Sequence, residues 1–347
     1  MQINLDQLDK EKWNEFLWQQ IHSHFWHSWE WGDFLASFKQ RQILRFSIHD
    51  GGDTVGLCTV CIDPVPPFGS RGDSIPVHHF SGPIFKQALD LQTKKTAYSQ
   101  LLKAIDGELK RRAILDMTFR IWDPSLDRTC FESLMDSGYD LQERASWIFN
   151  VQEDESQLMK TYTKHFRNQV RQGERRGAVV EVNAPVGVEQ LYALHEMTMT
   201  HGRTGPRYSK DEVAYVLNWG TQLKDLYLCK YEGKLLGFLV TLKFNKMTIV
   251  WLAGMDRRYA EFRPMNLMHH ELMKRSARQA VRTVDIGGGV TEGVTHFKED
   301  IGAKPMPIFV LHRAYRNNLY VMLANAWAFG PTTIRAVWKR LATGMNS

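Results

Sequence analysis

A row of cations is the first feature of this sequence with chemical content. Lys160, Lys164, Arg167, Arg171 and Arg175 are spaced four, three, four and four residues apart, so on a single helix over Glu155–Arg176 they share one face. Leu158, Tyr162, Phe166 and Val170 form an apolar stripe beside them. Glu174 is the only acid between Lys160 and Arg176. Such a helix docks by one side and offers cations on the other, either to phosphates and nucleic acid or simply to water.

Other constellations promise less. Cys58 and Cys61 form a C-x-x-C pair, but residues three apart on a strand point to opposite faces, and no second pair supplies the remaining ligands of a zinc site. Buried structural thiols are expected there. His22, His24, His27, His78, His79, His269 and His270 show no metal-binding spacing such as H-E-x-x-H, so no metal is expected. Gly287-Gly288-Gly289 follows a strand, yet Glu292 stands where a dinucleotide fingerprint needs its third glycine. Neither G-x-S-x-G nor a P-loop pattern is present, and Arg71-Gly72-Asp73 reads as chance.

The elements that must position these residues follow from length and periodicity. The 347 residues are enough for two packed domains. Four cysteines and no leader pattern at Met1–Lys10 point to the cytoplasm. The longest apolar stretch, Leu319–Phe329, contains Asn325 and is too short to cross a bilayer. Residues 1–150 carry 16 Lys and Arg against 20 Asp and Glu, a balance of −4; residues 151–347 carry 28 against 18, a balance of +10. The second half is the one suited to a polyanion.

Both halves read as mixed α/β. The first has a helix from Asp6 to about Gln20, a second from Ser28, and a hairpin Ile43–Ile48 and Val55–Ile62 turning at Gly51-Gly52. An irregular Gly- and Pro-rich segment to Pro83 follows, then helix Leu91–Ala113, strand Asp116–Trp122, helix Thr129–Ser137 and strand Ala145–Val151. The second has the basic helix, strand Val179–Val182, two helices, and a meander Leu226–Tyr231, Leu235–Phe244 and Met247–Ala253. A helix opens at Pro264, suited to a first helical position, and strand Thr283–Ile286 ends at the glycines. The expected boundaries are 1–150, 151–320 and a basic aromatic tail over 321–347, with Trp327, Arg335, Trp338, Lys339 and Arg340 suited to peripheral contact with an anionic membrane.

Several motifs resemble those of the Fem-type aminoacyltransferases that build peptidoglycan cross-bridges. Phe25-Trp26-His27-Ser28-Trp29-Glu30-Trp31 resembles their Q-S-x-x-W opening, and Ser81-Gly82-Pro83-Ile84 their R-G-P-V segment. Lys164-His165-Phe166-Arg167-Asn168-Gln169-Val170-Arg171 is similar to their K-x-R-x-x-I-R helix, and Tyr259 with Pro264, Asn266 and Leu267 to their Y-x(4)-P-x-x-L-L entry. Asp285-Ile286-Gly287-Gly288 with Gly293-Val294-Thr295-His296-Phe297-Lys298-Glu299-Asp300-Ile301-Gly302 resembles D-x-G-G followed by G-V-x-x-F-K-x-x-F-G. The similarity covers roughly Phe25 to Arg313. It lacks two features of relatives: a coiled-coil arm, and the R-x-x-G-x-G pyrophosphate loop of ordinary acetyltransferases of the GNAT type, replaced here by Arg258-Tyr259-Ala260-Glu261-Phe262-Arg263.

The resemblance implies an α/β (α+β) fold of two tandem GNAT-like domains, with mixed, largely antiparallel sheets flanked by helices. It implies an acyltransferase that moves an aminoacyl group from aminoacyl-tRNA to an amine of a peptidoglycan precursor or other envelope component. An acyl-CoA donor and a non-catalytic binding module are the alternatives. Lys298 is the expected oxyanion stabiliser. Lys164, Arg167, Arg171, Arg258, Arg263 and Asn266 are the expected donor-phosphate residues, grouped near the helix start at Pro264. Trp31, Gly82 and Asp285 are expected on the acceptor side or as structural motif residues. The donor, aminoacyl-tRNA or acyl-CoA, is a co-substrate, with no tightly bound cofactor, no metal and no DNA partner expected. The expected location is cytoplasmic, peripheral at the inner face of the membrane.

Overall fold

The computed structural model describes residues 1–74, 80–123, 125–152, 154–202, 205–288, 291–316 and 321. In chain order the first elements are β1 (Gln2–Leu5), α1 (Lys10–Trp18), α2 (Trp29–Ala36), β2 (Gln42–Asp50), β3 (Asp53–Val65), β4 (Gly69–Asp73) and β5 (Ile84–Phe85). They continue with α3 (Leu91–Arg111), β6 (Asp116–Ile121), α4 (Glu132–Met135), β7 (Asp140–Asn150), α5 (Glu155–Thr161), α6 (Lys164–Arg175) and β8 (Val179–Val182). Then come α7 (Val188–His201), α8 (Lys210–Leu217), β9 (Lys224–Tyr231), β10 (Lys234–Phe244), β11 (Met247–Met255), α9 (Pro264–Arg278), β12 (Thr283–Asp285), α10 (Glu292–Ile301) and β13 (Lys304–Ala314).

The chain forms two compact units that do not follow the expected halves at 150/151. One comprises Met1–Phe16, Trp29–Arg144 and the chain from Ile308; the other comprises Leu17–Ser28 and Ala145–Pro307. In the first unit the strand order is β1-β2-β3-β4-β6-β13, with β5 on β3. All these pairs are antiparallel except β4 with β6. Gly51 and Gly52, both at positive φ, make the tight β2–β3 turn. Asp90 caps α3 by accepting from Thr93 N–H, and Ala97, Tyr98, Leu101, Leu102, Ile105 and Leu109 bury its inner face. The return of β13 is fixed by buried Asp106, which accepts hydrogen bonds from Tyr139, Tyr315 and Arg313.

In the second unit the order is β7-β12-β11-β10-β9-β8, antiparallel except for β11 with β12. Helices α5, α6, α9 and α10 supply Leu158, Phe166, Val170, Leu267, Met268, Leu272 and Ile301 to its core, and the break between α5 and α6 adds Tyr162. Among the described residues no helix is long and apolar enough to cross a membrane.

Several expectations are corrected. Asp6 does not cap α1: it sits at φ 52° and accepts from Arg45 N–H, while Asp9 accepts from Lys12 N–H at the helix start. The segment after Pro64 is not wholly irregular, because β4 pairs with β3 there. Strand β13 is an additional element, whose sequence signal Pro305 and Pro307 mask. The basic helix is two helices. Thr163 turns extended, its Oγ accepts from Phe166 N–H, and a new helix begins; Lys160 therefore lies on α5, off the row that continues along α6. The expected tail contact, with Trp327, Arg335, Trp338, Lys339 and Arg340, lies outside the described residues.

Candidate active site

Strands β11 and β12 are parallel and paired only over Met247–Ile249 and Thr283–Asp285. β11 then runs on to Met255 while the other chain turns at Gly287, so the edge of β11 is left without a β12 partner. A bulge accompanies the parting: Val240 faces Leu252 and Thr241 faces Val250, which makes Trp251 the extra residue. Val250 and Ala253 join the core on the α9 side, whereas Trp251 packs on Tyr208. Gly254 is required here, since a Cβ would lie 2.8 Å from the backbone of Leu194 and His195 on α7. The His195 ring bonds through Nδ1 to Ala253 O at 3.2 Å, and burial lowers its pKa. A carbonyl only accepts, so Nδ1 carries the proton; Nε2 of His195 and the Trp251 indole N–H are buried without a hydrogen-bond partner.

The parting of the strands is held by a cluster at the end of β12. Asp285 is fully buried; its Oδ1 accepts from Ser146 Oγ at 2.6 Å and from Gly287 N–H at 2.8 Å, and its Oδ2 has no partner. Gly287 sits at φ 79°, which explains a glycine two residues after the aspartate. Lys298, 6% exposed, reaches across from α10 and donates to Gly287 O at 2.5 Å and Gly288 O at 2.7 Å. Burial pushes its pKa down to about 8, against the pull of Asp285. An ammonium has three N–H donors, so one remains. His269 on α9 is buried, bonds through Nδ1 to Met265 O, packs edge-on to Phe297 at 5.0 Å, and is held neutral by a pKa of about 4. Desolvation is the main cause, and the charge of Lys298 adds to it.

The F-K-x-x-x-G sequence is thereby explained residue by residue. Phe297 packs on Phe166 and His269, Lys298 pins the glycine turn, and Gly302 ends α10 at φ 90°. A Cβ on Gly302 would stand 2.6 Å from Thr161 O. Two residues after Lys298, Asp300 accepts from both the hydroxyl and, through its carbonyl, the N–H of Thr163, docking α10 against the break between α5 and α6.

The expected donor residues fall into two groups. Gly173 lets α6 approach the entry of α9, since a Cβ there would stand 2.7 Å from Phe262 O. Arg263, at φ 54°, precedes Pro264 and donates to Gln172 Oε1 at 3.0 Å. Exposed Lys164 and Arg171, with Arg175, thus lie on the helix that flanks the start of α9, and half-buried Asn266 is in its first turn. Arg167 is different: its guanidinium donates to Tyr162 O at 2.5 Å and Met159 O at 3.3 Å, closing the end of α5. Arg258 grips Asp256 with Nε at 3.0 Å and Nη2 at 2.7 Å, which holds that carboxyl below its ordinary range.

Trp31 and Gly82 belong to the other unit and serve packing there. Trp31 is buried against Phe34 at 4.6 Å, and a Cβ on Gly82 would meet Ile121 at 2.5 Å. Cys58 and Cys61 are buried thiols of β3, whose pKa burial raises. Among the described residues no group of three or more His, Cys, Asp and Glu is placed to hold a metal. Ser146, His269, His195 and Trp251 were not legible as site residues. Only the glycine two residues after Asp285 signalled the buried turn beside Ser146.

A splayed parallel pair beside a bulged strand, with a helix starting at the open end, is the architecture of the GNAT fold. Residues 160–299 match the family model of the acetyltransferase (GNAT) domain. FemX has a similar structure, at TM-score 0.72 and 13% identity, covering 92% of this chain and all of that one. The C-terminal domain of a putative lysylphosphatidylglycerol synthetase from Agrobacterium fabrum is similar at TM-score 0.54 and 13% identity, over 92% and 95%. A tandem GNAT protein from the clavulanic acid biosynthesis pathway follows at 0.55 and 11%, over 91% and 100%. No curated protein matches the sequence. The expected α/β, tandem GNAT architecture is thus the observed one, and the chain has the fold of the Fem-type enzymes its motifs resemble.

Proposed function

We propose that this enzyme transfers an aminoacyl group from aminoacyl-tRNA to an amine of a cell-envelope component. The observation that carries this reading is the exposed cationic row of α6, a helix whose opposite face packs on the start of α9. From Lys164 to Arg175 it runs about 16 Å at 1.5 Å per residue, which suits a chain of phosphates better than a single pyrophosphate. The pyrophosphate loop of ordinary acetyltransferases is replaced by a 3₁₀ turn over Arg257–Phe262. The resemblance to Fem-type enzymes and the likeness to a lysylphosphatidylglycerol synthetase domain support an envelope acceptor.

In this reading the acceptor amine attacks the ester carbonyl of the donor. The new C–N bond forms, the bond to the ribose oxygen breaks, and the amine proton passes to that oxygen. The carbonyl oxygen gains negative charge on the way, and a fixed cation in a dry site stabilises it. Lys298 fits the role: two of its N–H groups are spent on Gly287 O and Gly288 O, which fixes the third and the charge. A second reading, an acyl-CoA donor, is favoured by one feature, the free edge of β11 beyond its bulge, which can pair with an extended amide-bearing arm.

Filter binding of aminoacyl-tRNA at varied salt decides between the two. A slope of log affinity on log salt of about −0.7 to −0.9 per contacted phosphate supports the tRNA donor. Tight binding of acyl-CoA with no tRNA retention overturns it.

A further inference from the structure

A second surface of the unit that carries the site has features the transfer reaction does not use. Trp18 is 56% exposed and Ile21 is 42% exposed. Both are held firmly. The Trp18 ring stacks on Phe244 at 4.8 Å and 25°. The side-chain amide of Asn245 donates to Trp18 O at 3.2 Å, Gln20 O at 3.0 Å and Ser23 Oγ at 3.1 Å. Asn245 itself sits at φ 52° in the β10–β11 turn, so the turn and the aromatic segment form one fixed piece.

The same piece is basic. Lys246 follows Asn245 in the turn and is exposed, and its carbonyl accepts from Arg282 N–H at 2.8 Å, bringing exposed Arg282 alongside. Exposed Arg278 ends α9 just before this loop. Residues 17–23, 244–247 and 278–283 contain no Asp or Glu. An indole with a polar N–H on an apolar body favours the boundary between hydrocarbon and water, and cations beside it favour anionic headgroups.

We propose that this face docks on an anionic lipid bilayer, with Trp18 and Ile21 entering the headgroup layer and Lys246, Arg278 and Arg282 facing the lipid phosphates. The charge argues against a second copy of the chain as the occupant. In a two-fold contact the three cations of one copy would meet those of the other. β11 carries the chain from Met247 beside this face to Met255 beside the start of α9, about 26 Å at 3.3 Å per residue. A membrane at one end of the strand therefore leaves the other end open to a donor.

Co-sedimentation of the full chain with vesicles tests this without knowledge of the substrate. One set is phosphatidylcholine alone; the other mixes phosphatidylcholine and phosphatidylglycerol equally. Wild type is expected to sediment with the anionic set only, and less as salt rises. Lys246→Gln with Arg282→Gln should lower the partition coefficient roughly 30-fold, from about 1 kcal/mol per cation and tenfold per 1.4 kcal/mol. Trp18→Ser and Ile21→Ser should each weaken it further; if Trp18→Ser fails to fold, the charge pair and Ile21→Ser carry the test. Wild-type partition in these variants overturns the proposal, as does equal binding to neutral vesicles. It also falls if, without lipid, sedimentation velocity shows a dimer that Ile21→Ser dissolves.

Discussion

Replacing Lys298 by Met separates catalysis from folding, because the structural effects of the change oppose each other. The substitution leaves Gly287 O and Gly288 O without their donor, a loss of about 1–3 kcal/mol for each buried group left unpaired. It also removes a cation whose burial is costly. A pKa lowered from 10.5 to about 8 corresponds to about 3 kcal/mol at neutral pH. The net change in stability should therefore be small, and the variant should fold. The rate should not be spared: loss of one fixed oxyanion donor raises the barrier by about 2.7–4 kcal/mol, or 10²–10³ in turnover. Single-turnover transfer from labelled aminoacyl-tRNA, with donor affinity measured in parallel, reads both quantities. The pH dependence supplies a second check. Below pH 8 the lysine is charged in both folded and unfolded states and its burial penalty is at full strength. Between 8 and 10.5 the folded state sheds its proton first, so wild type should gain stability relative to the Met variant as pH rises through this window. Over the same window the wild-type rate should fall, as the cation is lost. A Met variant with a normal rate at saturating donor would refute the role given to Lys298.

Charge reversal of Lys164, Arg171 and Arg175 should weaken tRNA retention and flatten its salt dependence with folding intact, since all three are exposed; filter binding and thermal melting read the two. Arg167→Met should do the opposite, lowering stability by about 1–3 kcal/mol in urea titration with little change in donor affinity, because the side chain closes the end of α5. Gly302→Ala should cost roughly 1–3 kcal/mol, also by urea titration, as both the positive φ and the contact with Thr161 O resist a side chain. Asp285→Asn removes the charge that holds the Lys298 pKa up, so the alkaline limb of the rate profile should move below pH 8; an unmoved limb would show that the rate does not report this lysine.

The sequence by itself determined the elements whose signals are local. The β2–β3 turn was legible because two adjacent glycines admit positive φ. The meander β9–β10–β11 was legible from apolar runs broken by turns at Glu232-Gly233 and Asn245-Lys246, and the start of α9 from a proline that needs no N–H donor partner. The motif around Lys298 was legible as a pattern, though not as a geometry. Tertiary structure decided the rest. Whether Thr163 continues a helix or caps a new one depends on Asp300, 137 residues away, which draws its hydroxyl out of the helical path. Whether an arginine is free for phosphate depends on what stands near its fork: Arg167 and Arg171 share one face and one sequence motif, yet carbonyls at the end of α5 claim only the first. Membership of β13 in the first unit rests on Asp106, whose hydrogen bonds from Arg313 and Tyr315 span more than 200 residues. Periodicity reports which face of a segment is apolar. It carries no information on which distant polar group will satisfy a buried one, and in this protein that pairing positions the lysine and separates the free cations from the structural ones.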